Sequence, residues 1–305
     1  MNAALETIQR TSAISFPGLF GEFTINPPAS FTLFGREIYF YGVIIAVGFL
    51  LGIGYCARSA KRFGIREDDV YDLVLWLIPL SILGARLYFV LFKLDFYLAH
   101  PKEIVEIWNG GLAIYGGVIA GVIVMLLVCR KKKIPWKAMI DLLIYGLLIG
   151  QILGRWGNFM NREAFGTETE AFCRMCLTAP DGRSICVHPT FLYESVWNLV
   201  GLLFLIVWER KGGRCYDGQA ALGYFFWYGL GRAWIEGLRT DSLTIGGSGI
   251  RVSQLLSVLI ALPALALLVV NARRKHPPEE LYVNQVAAAA AAIVQEDDKE
   301  ETTHE

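Results

Sequence analysis

The sequence has little charge for its length. Only 18% of its 305 residues are charged, and 28 basic residues balance 28 acidic ones, so a nucleic-acid partner has no electrostatic support. Residues 1–20 lack a basic start, an apolar stretch and a small-residue cleavage site, so no secretion signal is predicted. Hydrophobic residues make up 54% of the chain, and its mean hydropathy is +0.45. This composition excludes a mainly disordered chain and argues against soluble domains.

Apolar runs of about 20 residues recur seven times, and each can cross a bilayer core as a helix. The runs are continuous, without the alternation of barrel strands, and backbone groups in hydrocarbon need partners within the segment. We therefore predict an all-α membrane protein with seven transmembrane helices, at residues 38–57, 70–92, 111–129, 138–156, 191–208, 219–236 and 252–270.

Basic residues between the runs predict the orientation. The segments on one side hold 15 Lys or Arg in 36 residues, and those on the other side hold 9 in 104. Because basic loops stay in the cytoplasm, the N-terminus is predicted outside and the C-terminus inside. The chain then divides into an irregular outer arm (1–37), a seven-helix membrane domain (38–270) with an outer-face loop subdomain (157–190), and a cytoplasmic tail of little structure (271–305).

Three of the six cysteines, Cys173, Cys176 and Cys186, fall in the outer loop. In an oxidising compartment one disulfide is expected, with one thiol left over. Together with His188 the same spacing suits zinc, although the compartment favours the disulfide. His188 and Pro189 are expected to begin the fifth helix and to fix the loop before it. No metal or cofactor is predicted.

Ionisable residues inside predicted spans indicate function, because an Arg at mid-bilayer costs about 2.5 to 3.5 kcal/mol on insertion scales. In the predicted topology these residues and several tyrosines gather at the outer helix ends rather than on both faces. For a single residue the alternative is a side chain that snorkels to the interface. The set comprises Tyr41, Arg86, Tyr115, Arg155, Tyr193, Glu194, Arg232, Glu236 and Arg239.

The spacing of three of these residues predicts a cationic pair. Arg232, Glu236 and Arg239 lie four and three residues apart, on one stripe of a helix, so the carboxylate can hold both guanidinium groups. Arg155 and Asn158 share a face of another helix. Arginines at headgroup depth suit the phosphate of a phospholipid, and helix-locking salt bridges are the structural alternative.

Four sequence blocks are more specific: WNGGLAIYGG (108–117), GRWGNFMNREAFG (154–166), HPTFLYE (188–194) and GRAWIEGLR (231–239). Together they resemble the prolipoprotein diacylglyceryl transferase family, over about residues 36–270. The resemblance implies a multi-pass enzyme of the bacterial plasma (inner) membrane, with its active site facing the extracytoplasmic leaflet. Such an enzyme moves the diacylglyceryl group of phosphatidylglycerol to the lipobox Cys of a preprolipoprotein, whose signal peptide it also binds, and releases glycerol phosphate.

The resemblance also implies roles for individual residues. Arg155 and Arg239 are expected to hold the phosphate, with Arg232 and Glu236 in support, while Glu163 or Glu236 relays the thiol proton. Many members have His where this chain has Tyr115, and a phenol with a pKa near 10 is a poor base, so Tyr115 is expected to position groups by hydrogen bonding. The remaining substrate-binding residues are expected to be Tyr41, Arg86, Asn158, Asn161, Gly166, Tyr193 and Glu194, with Asn158 and Asn161 on the headgroup hydroxyls.

Two other classes of protein remain as alternatives. Intramembrane Arg and Glu also occur in transporters and lipid flippases, although the charge here gathers at the outer ends and no broken-helix pair is visible. An intramembrane serine protease would depend on GGSG at 246–249, a loop stretch with no His in a neighbouring span.

Overall fold

The computed structural model describes residues 12–240, 244 and 251–303, and this part of the chain is mainly helical. Short helical segments lie at Pro17–Phe20 and Leu94–Ala99, and 3-10 turns occur between several of the long helices. The long helices in the described part are α1 (Phe40–Ser59), α2 (Glu67–Phe92), α3 (Ile114–Lys132), α4 (Trp136–Asn161), α5 (Thr190–Arg210), α6 (Gln219–Ile235), α7 (Val252–Ala272) and α8 (Tyr282–Thr303).

Six helices of the described ranges are long and apolar enough to cross a membrane, by length and composition. They are α1 with its following turn, α2, α3, α4, α5 and α7, and they coincide with six of the seven predicted runs. The remaining run forms α6, a helix of 17 residues that continues into a 3-10 turn at Glu236–Leu238. The predicted helical class is therefore confirmed, and the count of seven spans stays a prediction.

The chain folds into two compact units. The first unit takes its described residues from Met1–Gly52, Ile144–Cys215 and Gln219–His276. The second unit takes them from Ile53–Leu143, Tyr216–Gly218 and Pro277–Glu305.

An antiparallel sheet in the first unit includes part of the N-terminal arm. Its strands are β1 (Ala13–Ser15), β2 (Thr24–Ile25), β5 (Met175–Thr178) and β6 (Ser184–Val187), in the order β2-β1-β5-β6. Strands β3 (Ser30–Leu33) and β4 (Arg36–Tyr39) form a separate hairpin. The arm was predicted to be irregular, but its strand β1 pairs on both sides, and Ile14 within it is fully buried against Phe159 and Phe191.

A disulfide joins two opposite residues of this sheet. Cys176 on β5 pairs in register with Cys186 on β6, and the two are bonded, whereas Cys173 is free. The predicted disulfide with one thiol left over is confirmed. The zinc interpretation is wrong, because two of its four ligands are used by the disulfide.

Aromatic side chains join α4, α5 and α6. The indole nitrogen of Trp156 on α4 donates to Ser195 Oγ on α5 at 3.2 Å. Trp197 on α5 and Trp227 on α6 stack with ring centroids 4.3 Å apart, and each indole donates to the backbone carbonyl of the other at 2.9 Å. These contacts fix the register of the three helices and therefore the relative positions of their ends.

In the second unit the chain after residue 276 is more ordered than predicted. Residues Tyr282–Thr303 form α8, where the sequence indicated little structure. Its Ala run consists of the strongest helix-forming residue, and the backbone N–H of Tyr282 donates to Asp217 Oδ2 at 3.0 Å. The helix is thus tied at its first turn to another part of its own unit.

Candidate active site

A single buried carboxylate in the first unit contacts three arginines. Glu194, on α5, is 4% exposed. Its Oε2 lies 2.5 Å from Nη2 of Arg155 on α4, and its Oε1 lies 2.9 Å from Nη1 of Arg232 on α6. Nη1 of Arg239, just beyond α6, lies 3.5 Å from the same Oε1. Glu194 therefore holds together three guanidinium groups that are far apart in the sequence.

The predicted stripe of Arg232, Glu236 and Arg239 is confirmed for the ion pair of Arg232 with Glu236, four residues apart, and is wrong for Arg239. Helix α6 ends at Ile235, and Arg239 has extended backbone angles, φ −76° and ψ 148°. The chain leaves the helix because this segment pairs with the loop after α4, where Gly166 and Arg239 form an antiparallel bridge. The carboxylate that gathers the arginines is Glu194 of the neighbouring helix.

Gly166 is held between backbone segments and does not face open space. It donates its N–H to the His188 carbonyl at 2.9 Å. A Cβ built on Gly166 would lie 2.7 Å from the His188 Cβ and 2.9 Å from the Leu238 carbonyl oxygen, closer than real Cβ contacts allow. Only glycine therefore permits the bridge that fixes the backbone of Arg239.

The second acidic residue of the cluster is almost fully enclosed. Glu236 is 2% exposed, and its Oε2 lies 2.7 Å from Nη2 of Arg232, an ion pair without hydrogen-bond geometry. Counted over the described residues, three guanidinium groups and two carboxylates leave one net positive charge in this cluster. The cluster can therefore attract an anion. Because Glu236 is enclosed, its carboxylate is poorly placed to contact a substrate directly.

The end of α4 carries a chain of hydrogen bonds from the arginine cluster to an exposed carboxylate. Arg155 Nη1 donates to Asn158 Oδ1 at 3.2 Å. Asn158 Nδ2 and Asn161 Nδ2 donate to Oε1 of Glu163 at 2.9 and 3.2 Å. Four residues from the GRWGNFMNREAFG block are thus brought together, as the sequence predicted.

Tyr41 and Tyr193 take different places in the first unit. Tyr41, in the first turn of α1, is 36% exposed, and its ring lies against Gly157, where an added Cβ would be 2.6 Å from the ring. The hydroxyl of Tyr193 lies 3.1 Å from Cys173 Sγ and 3.2 Å from His188 Nδ1. His188 and Pro189 precede α5 as predicted, and His188 fixes the loop through its backbone.

Arg86 has a structural role in the second unit. It is 7% exposed, and its guanidinium donates to four backbone carbonyls, at 2.5 Å to Glu103, 2.9 Å to Ile104, 2.7 Å to Gly110 and 2.9 Å to Gly111. These bonds use four of the five N–H donors of the guanidinium, which leaves it little capacity for the predicted contact with substrate. The loop that Arg86 holds leads directly into α3.

Two predicted features remain, Tyr115 and the GGSG stretch. Tyr115 lies in the first turn of α3 and is 46% exposed, so its hydroxyl is available as a hydrogen-bonding group. The GGSG stretch at 246–249 lies outside the described residues.

Sequence reasoning missed two features of this site. The role of Glu194 as the shared partner of three arginines had no signal in local spacing, because the partners come from different helices. Arg162, between Asn161 and Glu163, was passed over although it is a cation inside the most specific block, and its surroundings are described below.

Three partly buried arginines, from α4, α6 and the segment just after α6, surround one buried carboxylate of α5. In a chain with six membrane-length helices they define a helical membrane protein with an anion-binding cluster. The family model for prolipoprotein diacylglyceryl transferase matches residues 28–270. The chain belongs to the prolipoprotein diacylglyceryl transferase family, and it is therefore a transferase of lipoprotein biosynthesis and a multi-pass membrane protein.

Curated relatives named phosphatidylglycerol–prolipoprotein diacylglyceryl transferase cover most of the chain. The protein of Limosilactobacillus reuteri (strain DSM 20016) is 42% identical over 247 residues, which is 79% of this chain and 89% of the relative. The protein of Lactiplantibacillus plantarum is 41% identical over 258 residues, covering 82% and 90%. The protein of Enterococcus faecalis is 42% identical over 260 residues, covering 83% and 92%.

Proposed function

We propose that this chain transfers the diacylglyceryl group of phosphatidylglycerol to the lipobox cysteine thiol of a preprolipoprotein and releases glycerol phosphate. The observation that carries the proposal is the arginine cluster around Glu194, with its net positive charge and its hydrogen-bonded connection to the exposed Glu163. The names of the relatives support the same substrates.

The arginine cluster binds the phosphate of the lipid. Arg155 and Arg239 are the phosphate-binding residues, and Arg232, tied to both Glu194 and Glu236, fixes their positions. Guanidinium groups form two parallel hydrogen bonds to phosphate, and they stabilise the charge that develops as the phosphate leaves. Because the cluster is assembled before the lipid arrives, little reorganisation is needed during the reaction.

The thiol proton passes to Glu163. Of the two carboxylates that the sequence left open, Glu163 is exposed and Glu236 is enclosed, so Glu163 is accessible to a thiol. The amides of Asn158 and Asn161 both donate to Oε1 of Glu163, which leaves its other oxygen to accept the proton. In this arrangement the two asparagines orient the base, and the second N–H of each amide remains for a headgroup hydroxyl.

The reaction then needs one bond to form and one to break. The ionised sulfur attacks the glycerol carbon that carries the phosphate, forming the thioether. The bond between that carbon and the phosphate oxygen breaks, and the electron pair leaves with glycerol phosphate, next to Arg155 and Arg239. Nearby cations lower the pKa of the thiol, from its usual value of about 8.5, and so favour the thiolate.

The membrane arrangement that we propose has seven spans, because α6 and the turn after it run from 219 to 238, about the 20 residues that a bilayer core needs. The basic segments lie in the cytoplasm, and the arginine cluster faces the extracytoplasmic leaflet of the bacterial plasma membrane. Phosphatidylglycerol enters sideways from the bilayer, and so does the signal peptide of the preprolipoprotein.

Three tyrosines have supporting roles in the proposed reaction. Tyr41, packed on Gly157 beside Asn158, contacts bound lipid with its exposed edge. Tyr193 fixes His188 and the loop that holds Gly166. Tyr115 hydrogen-bonds to substrate and does not act as a base, because a phenol is largely protonated at neutral pH.

A mass assay tests the proposal. The purified chain in detergent is given phosphatidylglycerol and a peptide that carries a lipobox. The peptide is expected to gain the mass of one diacylglyceryl group, and a peptide with Ser in place of the lipobox Cys is expected to gain none. An unchanged peptide mass, together with movement of labelled lipid across sealed vesicles, would contradict a transferase and indicate a transporter.

A further inference from the structure

Arg162 is a buried cation with no opposite charge beside it in the described part of the chain. It is 1% exposed, and among the described residues no carboxylate lies within salt-bridge distance. Its guanidinium donates instead to four oxygens. These are the carbonyl of Ser12 at 2.7 Å, the carbonyl of Met160 at 3.0 Å, Oδ1 of Asn26 at 2.6 Å and the carbonyl of Pro27 at 2.8 Å. Three of the four acceptors belong to the N-terminal segment.

The backbone of Arg162 is also in an unfavourable conformation for this residue. Its φ is +53°, in the left-handed region. The N–H of Glu163 bonds to the Asn158 carbonyl and that of Arg162 to the Phe159 carbonyl, each at 3.0 Å, which is the pattern that ends a helix with a left-handed residue, usually glycine. A non-glycine residue here costs about 1 to 2 kcal/mol. Glycine would end α4 more favourably, so the side chain of Arg162 must serve another purpose.

The segment that Arg162 reaches is firmly attached to the first unit. Strand β1 pairs with β5, and Ile14 is fully buried in the same core as Phe159 and Phe191. Phe16 stacks on Phe159 with ring centroids 6.5 Å apart. The three bonds of Arg162 to this segment therefore connect the end of α4 to a fixed support.

We propose that Arg162 is a positioning residue for the reaction, because it ties the turn that carries Asn161 and Glu163 to the N-terminal segment. The two neighbours of Arg162 in the sequence are the amide donor and the carboxylate of the hydrogen-bond chain described above. Rotation of this turn would move the Glu163 carboxylate away from the thiol. The inference rests on the proposed role of Glu163 as proton acceptor.

The substitution Arg162→Gly tests the inference, since it keeps the helix-ending turn and removes the guanidinium. We expect kcat to fall about 10-fold at about pH 7, with KM for phosphatidylglycerol changed less than about threefold, because misplacement of a reacting group lowers kcat while the arginine cluster is untouched. The defect is expected to shrink at about pH 9, where more of the peptide thiol ionises without a base. A loss of folded enzyme would lower the rate equally at both pH values.

A double variant gives a second readout. Glu163→Gln alone is expected to lower kcat about 100-fold at about pH 7, in the range usual for loss of a proton acceptor. If Arg162 acts through Glu163, the variant Arg162→Gly with Glu163→Gln is no slower than Glu163→Gln alone. Arg183→Gly is the matched control, because Arg183 pairs only with the exposed Asp181 in the described structure. It is expected to retain full activity.

Several results would overturn the inference. A defect of equal size at both pH values, or losses that add in the double variant, would reduce Arg162 to a support of the fold. If Arg162→Gly has normal activity while Glu163→Gln is impaired, the positioning role of Arg162 is overturned and the role of Glu163 stands. If Glu163→Gln has full activity, the role of Glu163 as proton acceptor is overturned as well.

If Arg162→Gly does not accumulate in the membrane, the same kinetic comparison at about pH 7 and about pH 9 is made with Asn26→Ala. It removes one acceptor of the guanidinium and leaves the cation and the turn in place. We expect a smaller loss of kcat with the same decrease of the defect at high pH. Unchanged kinetics of Asn26→Ala would then overturn the inference.

Discussion

Replacing Glu194 by Gln removes one charge from the centre of the arginine cluster and keeps the shape of the side chain. The sequence suggested that Glu194 binds substrate, whereas the structure surrounds its carboxylate with three guanidinium groups at 2.5, 2.9 and 3.5 Å. Substitution of a residue that aligns the arginines lowers kcat, whereas substitution of a residue that contacts the lipid raises the KM for phosphatidylglycerol. Glu194→Gln therefore separates the two roles.

The size of the effect follows from burial and distance. Two unit charges 4 Å apart interact by about 4 kcal/mol at an effective dielectric constant of 20, and removal of one partner of a buried ion pair costs about 3 to 5 kcal/mol. Part of this cost is recovered when the arginines move apart, so we expect about 3 kcal/mol less stabilisation of the transition state. This corresponds to a decrease in kcat of about 100-fold.

The KM for phosphatidylglycerol is expected to respond differently. Without Glu194 the cluster has two net positive charges instead of one, so its attraction for a lipid anion is retained, and we expect KM to rise no more than about threefold. The assay is the mass assay with the lipobox peptide at varied lipid concentration. Glu168→Gln makes the same change at an exposed position of the same unit and is expected to be fully active. Unchanged kcat, or a KM raised more than about tenfold with kcat retained, would refute the aligning role.

Three further predictions concern the support of the site. Gly166→Ala is expected to lower activity at least about 10-fold and to destabilise the protein by about 1 to 3 kcal/mol in thermal unfolding, because its Cβ has no room, while Gly150→Ala, in open space within α4, is expected to keep full activity without loss of stability. Arg86→Met is expected to make the loop that its guanidinium holds sensitive to protease, and resistance equal to the unchanged protein would contradict its structural role. Reduction of Cys176–Cys186, 10 residues apart, is expected to cost about 2 to 3 kcal/mol of stability, and an unfolding temperature that does not respond to reductant would refute this.

The parts of the fold that depend on local composition were predictable. The length of an apolar run can be read directly from the sequence, and six of the seven predicted runs are membrane-length helices. The GRWGNFMNREAFG block also brought Arg155, Asn158, Asn161 and Glu163 together, because a helix end and the turn after it keep residues close in space when they are close in sequence.

Predictions failed where contacts join distant segments. Arg232 and Arg239 were assigned to one helical stripe, but pairing of the backbone with Gly166 draws Arg239 out of the helix. Arg86 was assigned to substrate because an intramembrane cation indicates function. Its guanidinium bonds to backbone carbonyls of a loop, and the contact with substrate stays a prediction. The N-terminal arm was predicted irregular, and its strand β1 is held by β5, about 160 residues further along the chain, while β2 and the β3–β4 hairpin pair locally in strands too short to show a clear alternation.

The amino-acid sequence by itself determined the helical membrane class, the family and the residue types at the site, because these depend on runs and blocks that are contiguous in the chain. Only the tertiary structure decided that Glu194 is the common partner of three arginines and that Arg162 ties the turn carrying Glu163 to the N-terminal segment. The physical reason is that a buried charge takes whichever partner the packing of separate helices and strands brings within about 3 Å, and no local pattern in the sequence specifies that partner.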